Sequence, residues 1–245
     1  MRGLIAVSFI GTMFLLGIPI FGYVTQEQSR QLINDRGQHL HTVAQATATV
    51  VASNLRERMR EVELLAQTPL YTRGELGTTD FDASLQRVRK SYPHYSWIGV
   101  VDLDGTVLHA TENMLVGQSV AARPWFVHAR SGAYVGDLHE AALLGKLLRD
   151  QLHEWPIRFL DFAAPVFDAE GQLRAVVGSH VHWRWAREVI ATLKPLDADS
   201  EGIDVFIVNH ANVVIYPDQV EAVQALPSVP RIAMDQAFGF YDWGG

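Results

Sequence analysis

Ser119-Val-Ala-Ala-Arg123-Pro-Trp125-Phe126 and, just after it, Tyr134-Val-Gly-Asp137-Leu-His139-Glu140 decide how this chain is read. They bring a guanidinium, aromatic rings, carboxylates and an imidazole together between segments of strand-like pattern. A guanidinium presents a planar fork that suits a carboxylate or a phosphate. The bland role for Arg123 is an ion pair with Asp137 or Glu140.

Working outward, the hydrophobic period alternates between extended and helical. Residues 122–130 read as a short amphipathic helix carrying Trp125 and Phe126. Upstream, 81–91 is a helix by the spacing of Phe81, Leu85 and Val88, and Tyr95-Ser-Trp-Ile-Gly-Val-Val101 is a buried strand. Asp102-Leu-Asp-Gly105 is a tight turn returning as the strand Thr106–Ala110. It lacks the further ligands and closing glutamate of a calcium loop, so a hairpin turn is the reading. Downstream, Glu140–Leu152 reads as a helix, with Leu143, Leu144, Leu147 and Leu148 on one side. Ile157–Phe167 and Gln172–Trp183 are strands joined by Asp168-Ala-Glu-Gly171, and Trp185–Leu193 is a helix. A second unit starts near Gly202, with a hairpin from Ile203–Asn209 and Asn212–Tyr216. The aromatic run ending at Gly245 has nothing to pair with, and a lone hairpin is marginal in water. The second unit is therefore expected to be incomplete and the chain to be part of a longer protein.

Gly3 to Val24 carries no charge and is rich in Leu, Ile, Val and Phe, enough for a helix to cross a bilayer. Its exit, Ile20-Phe-Gly-Tyr-Val-Thr-Gln, is a poor cleavage site, so an uncleaved anchor is expected rather than a signal peptide. Arg2 precedes the span, which puts the N-terminus inside and the rest outside. From Thr25 to about Gln67 apolar residues recur in steps of three and four, from Leu32 and Ile33 to Val62 and Leu65, with no proline before Pro69. That length suggests a stalk, packing on the domain it carries, pairing with a second copy, or doing both with different halves.

The chain of 245 residues is 48% hydrophobic and 19% charged, enough for a packed core. A net charge of −7 argues against a nucleic-acid binder. The absence of cysteine excludes disulfides, thiolate metal sites and a cysteine nucleophile.

A membrane anchor, a long helix and hairpins flanking an Arg-Pro-Trp-Phe helix resemble the double Cache family, the PAS-like (PDC) extracytoplasmic sensor regions of bacterial receptors. Six blocks carry the resemblance: Tyr95-Ser-Trp-Ile-Gly99, Val120–Phe126, Val135–Ala141, Leu143–Leu148, Arg158–Pro165 and Trp183–Arg187. They are similar to Cache sensors joined to diguanylate cyclases or histidine kinases. The resemblance implies an α+β fold in which a transmembrane helix continues into a stalk and then into two PAS-like modules with antiparallel central sheets. The expected segments are a 1–24 anchor, a 25–69 stalk, a 70–194 membrane-distal module and a partial 195–245 membrane-proximal module. It also implies ligand binding in the distal module, an inner-membrane location with the sensor in the periplasm, a homodimer through the long helix, and a missing output domain. Amino-acid receptors of the family use an Arg-x-Trp-Tyr motif whose Arg holds the ligand carboxylate, and a later Asp that holds the ammonium. Arg123 and Trp125 match that motif. Phe126 lacks the hydroxyl and His180 takes the place of the Asp, so a carboxylate without an amine becomes comparable to an amino acid, with Asp137 or Asp161 as stand-ins.

The candidate ligand-binding residues are Arg123, Trp125, Phe126, Tyr134, Asp137, His139, Arg158, Asp161 and His180. Tyr134 and Asp137, three apart on an extended segment, are expected on opposite faces, as are Arg158 and Asp161. His139-Glu140 resembles the start of a zinc-protease helix, but Leu143 stands where the second histidine belongs. His180 and His182 share a strand face and read as structural. No metal, cofactor or catalytic residue is assigned. The rival readings are a membrane-anchored periplasmic hydrolase using His139, His180 and a carboxylate, and a dimerisation module without a ligand.

Overall fold

The structure, a computed structural model, describes residues 2–140, 144–148, 157–193, 206–208 and 214–217. The described residues divide into two compact units within the first helix, one up to Thr47 and one from Ala48 onward. That helix, α1, runs Arg2–Ala66 with Pro19 inside it, so the expected anchor and stalk are one continuous element. By length and composition it is able to cross a membrane, and Phe9, Leu15 and Phe21 near its start are exposed.

The second unit is built on a six-stranded sheet, β1 (Tyr95–Val101), β2 (Val107–Ala110), β3 (Tyr134–Val135), β4 (His139–Glu140), β5 (Arg158–Phe167) and β6 (Leu173–His182). All described pairings in it are antiparallel, in the order β2-β1-β6-β5-β3, with β4 also on β5. The helices are α2 (Pro69–Arg73), α3 (Asp80–Ser91), α4 (Pro124–Ala129), α5 (residues 144–148) and α6 (Trp183–Leu193). A further antiparallel pair, β7 (Ile207–Val208) and β8 (Val214–Tyr216), lies where the second hairpin is expected. The expected tip of that hairpin, the end of the Glu140–Leu152 helix and the aromatic terminus fall outside the described residues.

Period-two alternation lets each strand serve two cores. Ile98, Val100, Phe162, Val177 and Val181 face one way, onto Val62 and Leu65 of α1, Tyr71 of α2, Phe81 and Leu85 of α3, and Ile190 of α6. Trp97, Val101, Phe159, Ala163 and Val176 face the other way, toward Trp125, Phe126 and Ala129 of α4 and Leu144 and Leu148 of α5. The stalk stripe splits in the same manner. Val51, Leu55 and Met59 pack against the first core, while Leu32, Ile33 and Leu40 are exposed.

Two hairpins close with one device. Asp102 Oδ1 accepts from the backbone N–H of Asp104 (3.0 Å) and Thr106 (2.8 Å). Asp168 Oδ1 accepts from Glu170 (3.0 Å) and Gln172 (2.7 Å). Both turns end on a glycine with positive φ, Gly105 at 84° and Gly171 at 78°, a region that side chains resist. The Asp102 carboxylate is thus spent on its own turn, as expected of a hairpin and not of a calcium loop.

One element differs from the sequence reading. Glu140, read as the first residue of a helix, lies instead with His139 on β4, which pairs with β5, His139 opposite Phe159 and Glu140 opposite Arg158. Beyond β3 the edge of β5 offers unpaired backbone groups, and satisfying them outweighs local helical spacing. The next described helix is α5, residues 144–148. Leu144 and Leu148 are buried, whereas Leu147 is exposed.

Candidate functional site

The floor of the site is the face of β5 and β6 that carries Asp161 and His180, which the hairpin register places directly opposite one another. Gly178, on the same face of β6, leaves room for Trp125. A Cβ there would meet the indole ring at 2.4 Å. Pro124 starts α4 with Arg123 as its N-terminal flanking residue in extended conformation. Proline at the first helical turn has no N–H to lose, and the residue before proline is held extended. Arg123 is therefore aimed off the helix rather than along it, and it is exposed. Among the described residues it forms no ion pair with Asp137 or Glu140.

Between α4, the β3–β4 segment and the sheet lies a cavity of about 290 Å³. Of the expected residues, Arg123, Trp125, Tyr134, Asp137, His139, Asp161 and His180 line it. Phe126 does not; it is buried in the core below α4, edge-on to Trp125 at 6.1 Å. Arg158 does not either, having the opposite strand parity to Asp161. Tyr134 and Asp137 both line the cavity, contrary to the alternation expected of them. The reason is that β3 ends at Val135, where Gly136 N–H donates to the Asp161 carbonyl (2.8 Å) and the chain turns.

Leu115, Val120, Pro124, Gly136, Glu140 and Leu144 complete the lining. Gly136 was signalled by its place between Tyr134 and Asp137: a Cβ there would crowd Asp161 Cβ at 3.1 Å. The apolar members carry no chemical signature that sets them apart from core residues.

The centre of the site is polar and buried. His180 Nδ1 lies 2.5 Å from Asp161 Oδ1. His139 Nε2 lies 3.5 Å from the other oxygen, Oδ2, while its Nδ1 donates to the Asp137 carbonyl (3.0 Å). The His180 ring is boxed by Trp97 (5.2 Å), Phe159 (5.9 Å) and Trp125 (6.0 Å). The three donor atoms on His139, Asp161 and His180 lie within 4.8 Å of one another, so the trio is able to hold a metal ion. His182, which shares the strand face of His180, instead accepts from Arg184 N–H (3.0 Å).

No protein-family model matches the chain, and no curated protein sequence matches it. Solved structures do. The ligand-binding domain of the amino-acid chemoreceptor PctB of Pseudomonas aeruginosa, in complex with L-Arg, aligns over 76% of this chain and 73% of its own at 21% identity and a TM-score of 0.55. That of the chemoreceptor CtaA of Pseudomonas fluorescens, with L-valine, aligns over 76% and 77% at 18% identity and a TM-score of 0.58. That of PctC of Pseudomonas aeruginosa, with GABA, aligns over 80% and 86% at 22% identity and a TM-score of 0.57. The antiparallel sheet behind a long N-terminal helix is thus the Cache-type fold of extracytoplasmic sensor domains, as the sequence blocks implied.

Proposed function

We propose that the chain is the ligand-sensing region of a membrane-anchored bacterial receptor, with residues after about 25 on the periplasmic side, and that the cavity under α4 takes a small anionic or zwitterionic molecule. The observation that carries this reading is the pairing of an exposed guanidinium, Arg123, with buried Asp161 and His180 across one 290 Å³ cavity. A carboxylate fits the Arg123 fork, and a cationic nitrogen fits Asp161. Ligand pockets run from about 300 Å³ upward, so this volume suits a molecule of amino-acid or dicarboxylate size. The solved domains of similar fold hold L-Arg, L-valine and GABA, all of which join a carboxylate to a basic nitrogen.

The anchor at 1–24, stalk at 25–69, distal module at 70–194 and partial proximal module at 195–245 remain the organisation of this reading. The exposed Leu32, Ile33 and Leu40 are the surface on which a second copy would pair, and the cytoplasmic output lies in another part of the receptor. A ligand shifts such a device only by its difference in affinity between two states. Among the described residues the lining holds no Ser, Thr, Cys or Lys to serve as a nucleophile, so a hydrolase at this site would have to use water activated by a carboxylate or an imidazole.

The test is a thermal-shift screen of amino acids and small carboxylates on the full chain in detergent. A ligand at 100 times its Kd stabilises by about 2.7 kcal/mol. Arg123→Ala is expected to abolish the shift without lowering the melting temperature of the free protein. A variant that keeps wild-type affinity would remove Arg123 from the site.

A further inference from the structure

We infer that the cavity is also a metal site, in which His139 Nε2, the Asp161 carboxylate and His180 Nδ1 hold one late first-row divalent cation such as Zn²⁺, with an open position facing Arg123. Three observations carry this. The donor atoms already converge within 4.8 Å. They come from three strands fixed by pairing, His139 on β4 and His180 on β6, each hydrogen-bonded to the β5 that carries Asp161. Finally, the tautomer of His139 is set from outside. Its Nδ1 donates to the Asp137 carbonyl at 3.0 Å, so in the neutral ring the lone pair is on Nε2, which faces an acceptor, Asp161 Oδ2, at 3.5 Å.

A lone pair facing a carboxylate oxygen calls for a cation between them, either a proton or a metal ion. A backbone carbonyl holding the far nitrogen of a ligating histidine is also the usual outer-shell arrangement at metal centres. Two imidazoles and one carboxylate select Zn²⁺, Ni²⁺, Cu²⁺ or Co²⁺ over the oxygen-seeking Mg²⁺ and Ca²⁺.

The 2.5 Å contact between His180 and Asp161 is a hydrogen bond that the metal has to replace. Nδ1 gives up its proton, to its own Nε2 where the ring is neutral and to solvent where it is an imidazolium, and both atoms turn to the ion. The aromatic box around His180 keeps the ring in place while this happens. Three protein ligands leave a fourth position open. A carboxylate there would bridge the metal and Arg123, so the molecule sensed would be a metal-chelating carboxylate. This last step rests on the sensor reading; the metal site does not.

The experiment is calorimetric titration of Zn²⁺ into the metal-stripped full chain in detergent, repeated in two buffers of different ionisation enthalpy. One ion per chain is expected, and the two buffers count the protons released with it. His139→Ala and His180→Gln should each weaken binding by at least the ~10- to 100-fold that loss of an outer-shell partner costs. His39→Ala, an exposed histidine of α1 outside the trio, should change nothing. His139 is partly exposed, so His139→Ala decides the matter if circular dichroism shows His180→Gln unfolded. No saturable binding, or binding unchanged in His139→Ala, overturns the site. A carboxylate-induced thermal shift that survives EDTA, with no Zn²⁺ bound, overturns the metal site and leaves the sensor reading standing. Zn²⁺ held by the trio with no carboxylate response does the reverse.

Discussion

One face of the sheet is closed by α1, α2, α3 and α6, and it buries Phe81, Tyr71 and Phe162 completely. The other is closed by the short helices α4 and α5, and it leaves Asp161 and His180 beside a cavity. Each face carries a cluster of ionisable groups, but the clusters are finished differently. On the helix face, Arg58 of α1 pairs with Glu61 (2.8 Å), donates to His94 Nε2 (2.5 Å) and lies over Trp185 (5.6 Å). Tyr95 of β1 donates to Glu61 as well (2.7 Å). These groups spend their charge on one another and tie the stalk to the sheet. On the pocket face, two histidines and an aspartate converge beside open space. The sheet between them is one layer thick, with Asp161 flanked on β5 by Leu160 and Phe162. The strand that carries Asp161 into the pocket thus also carries Leu160 and Phe162 into the core that holds the stalk.

The sharpest way to break this comparison is to empty each face in turn. Phe162→Ala removes a fully buried ring and should cost about 3–5 kcal/mol in denaturant unfolding. Tyr134→Ala, at the half-buried rim where the ring stacks on His128 at 4.9 Å, should cost about 1 kcal/mol, within the range of an aromatic pair. Equal losses would mean that the pocket face is packed as tightly as the helix face.

Gly178→Ala tests the pocket floor. The new methyl would meet the Trp125 ring at 2.4 Å, and that ring is buried under α4 with no free end to swing aside. Overpacking of this kind costs about 1–3 kcal/mol. Trp125 also lines the cavity, so the variant should lose ligand-induced stabilisation beyond its loss of stability. A variant as stable as wild type would show that α4 rides loosely on the sheet.

The helix-face cluster should also respond to acid. Burial first, then the Arg58 guanidinium, holds the His94 imidazole down from 6.5 to about 4. The unfolded chain therefore takes up a proton at His94 before the folded one does. Its contribution is a loss of stability as pH falls from 6.5 toward 4, complete below that. Burial raises the Glu61 carboxyl above 4.5, with Tyr95 and Arg58 pulling it back. The folded chain thus binds that proton more readily, which opposes the His94 loss. His94→Gln should shrink the decline in melting temperature across this window, and Glu61→Gln should steepen it. An unchanged slope in His94→Gln would move the acid sensitivity elsewhere.

What was legible in the sequence follows the range of the forces involved. β1, β5 and β6 could be read within a residue or two because alternation and the Asp-x-x-Gly turns are local. The meeting of Asp161 with His180 follows from the same hairpin register. His139 was a candidate by its chemistry, but its place on a strand was not legible, because β4 pairs with β5 across a long connection and the Glu and Leu residues after it carry helical spacing. Nor could the phase of so short a helix as α4 show that Trp125 would reach the cavity while Phe126 stayed in the core. The types of the site residues were readable from their chemistry. Their convergence depended on tertiary pairing.

The smallest effect expected is at the two hairpin turns, and it separates the faces once more. Asp102 and Asp168 make the same pair of bonds to their own backbones, mostly at the exposed surface where water replaces them, so loss of either carboxylate should cost no more than about 0.5–1 kcal/mol in all. The β1–β2 turn, however, is also packed from outside. Gly105 sits against Ala121, where a Cβ would lie 2.6 Å from the Ala121 Cα, and Val120 N–H donates to the Gly105 carbonyl (2.7 Å). Val120 lines the cavity, whereas a Cβ on Gly171 would meet open space. Asp168→Ala should therefore lower stability slightly and leave ligand binding alone. Asp102→Ala, with a similar loss of stability, should in addition weaken ligand binding through the Val120 segment that leads into Arg123. Equal binding by the two variants, measured by the same thermal shift, would show that the turn and the pocket are independent.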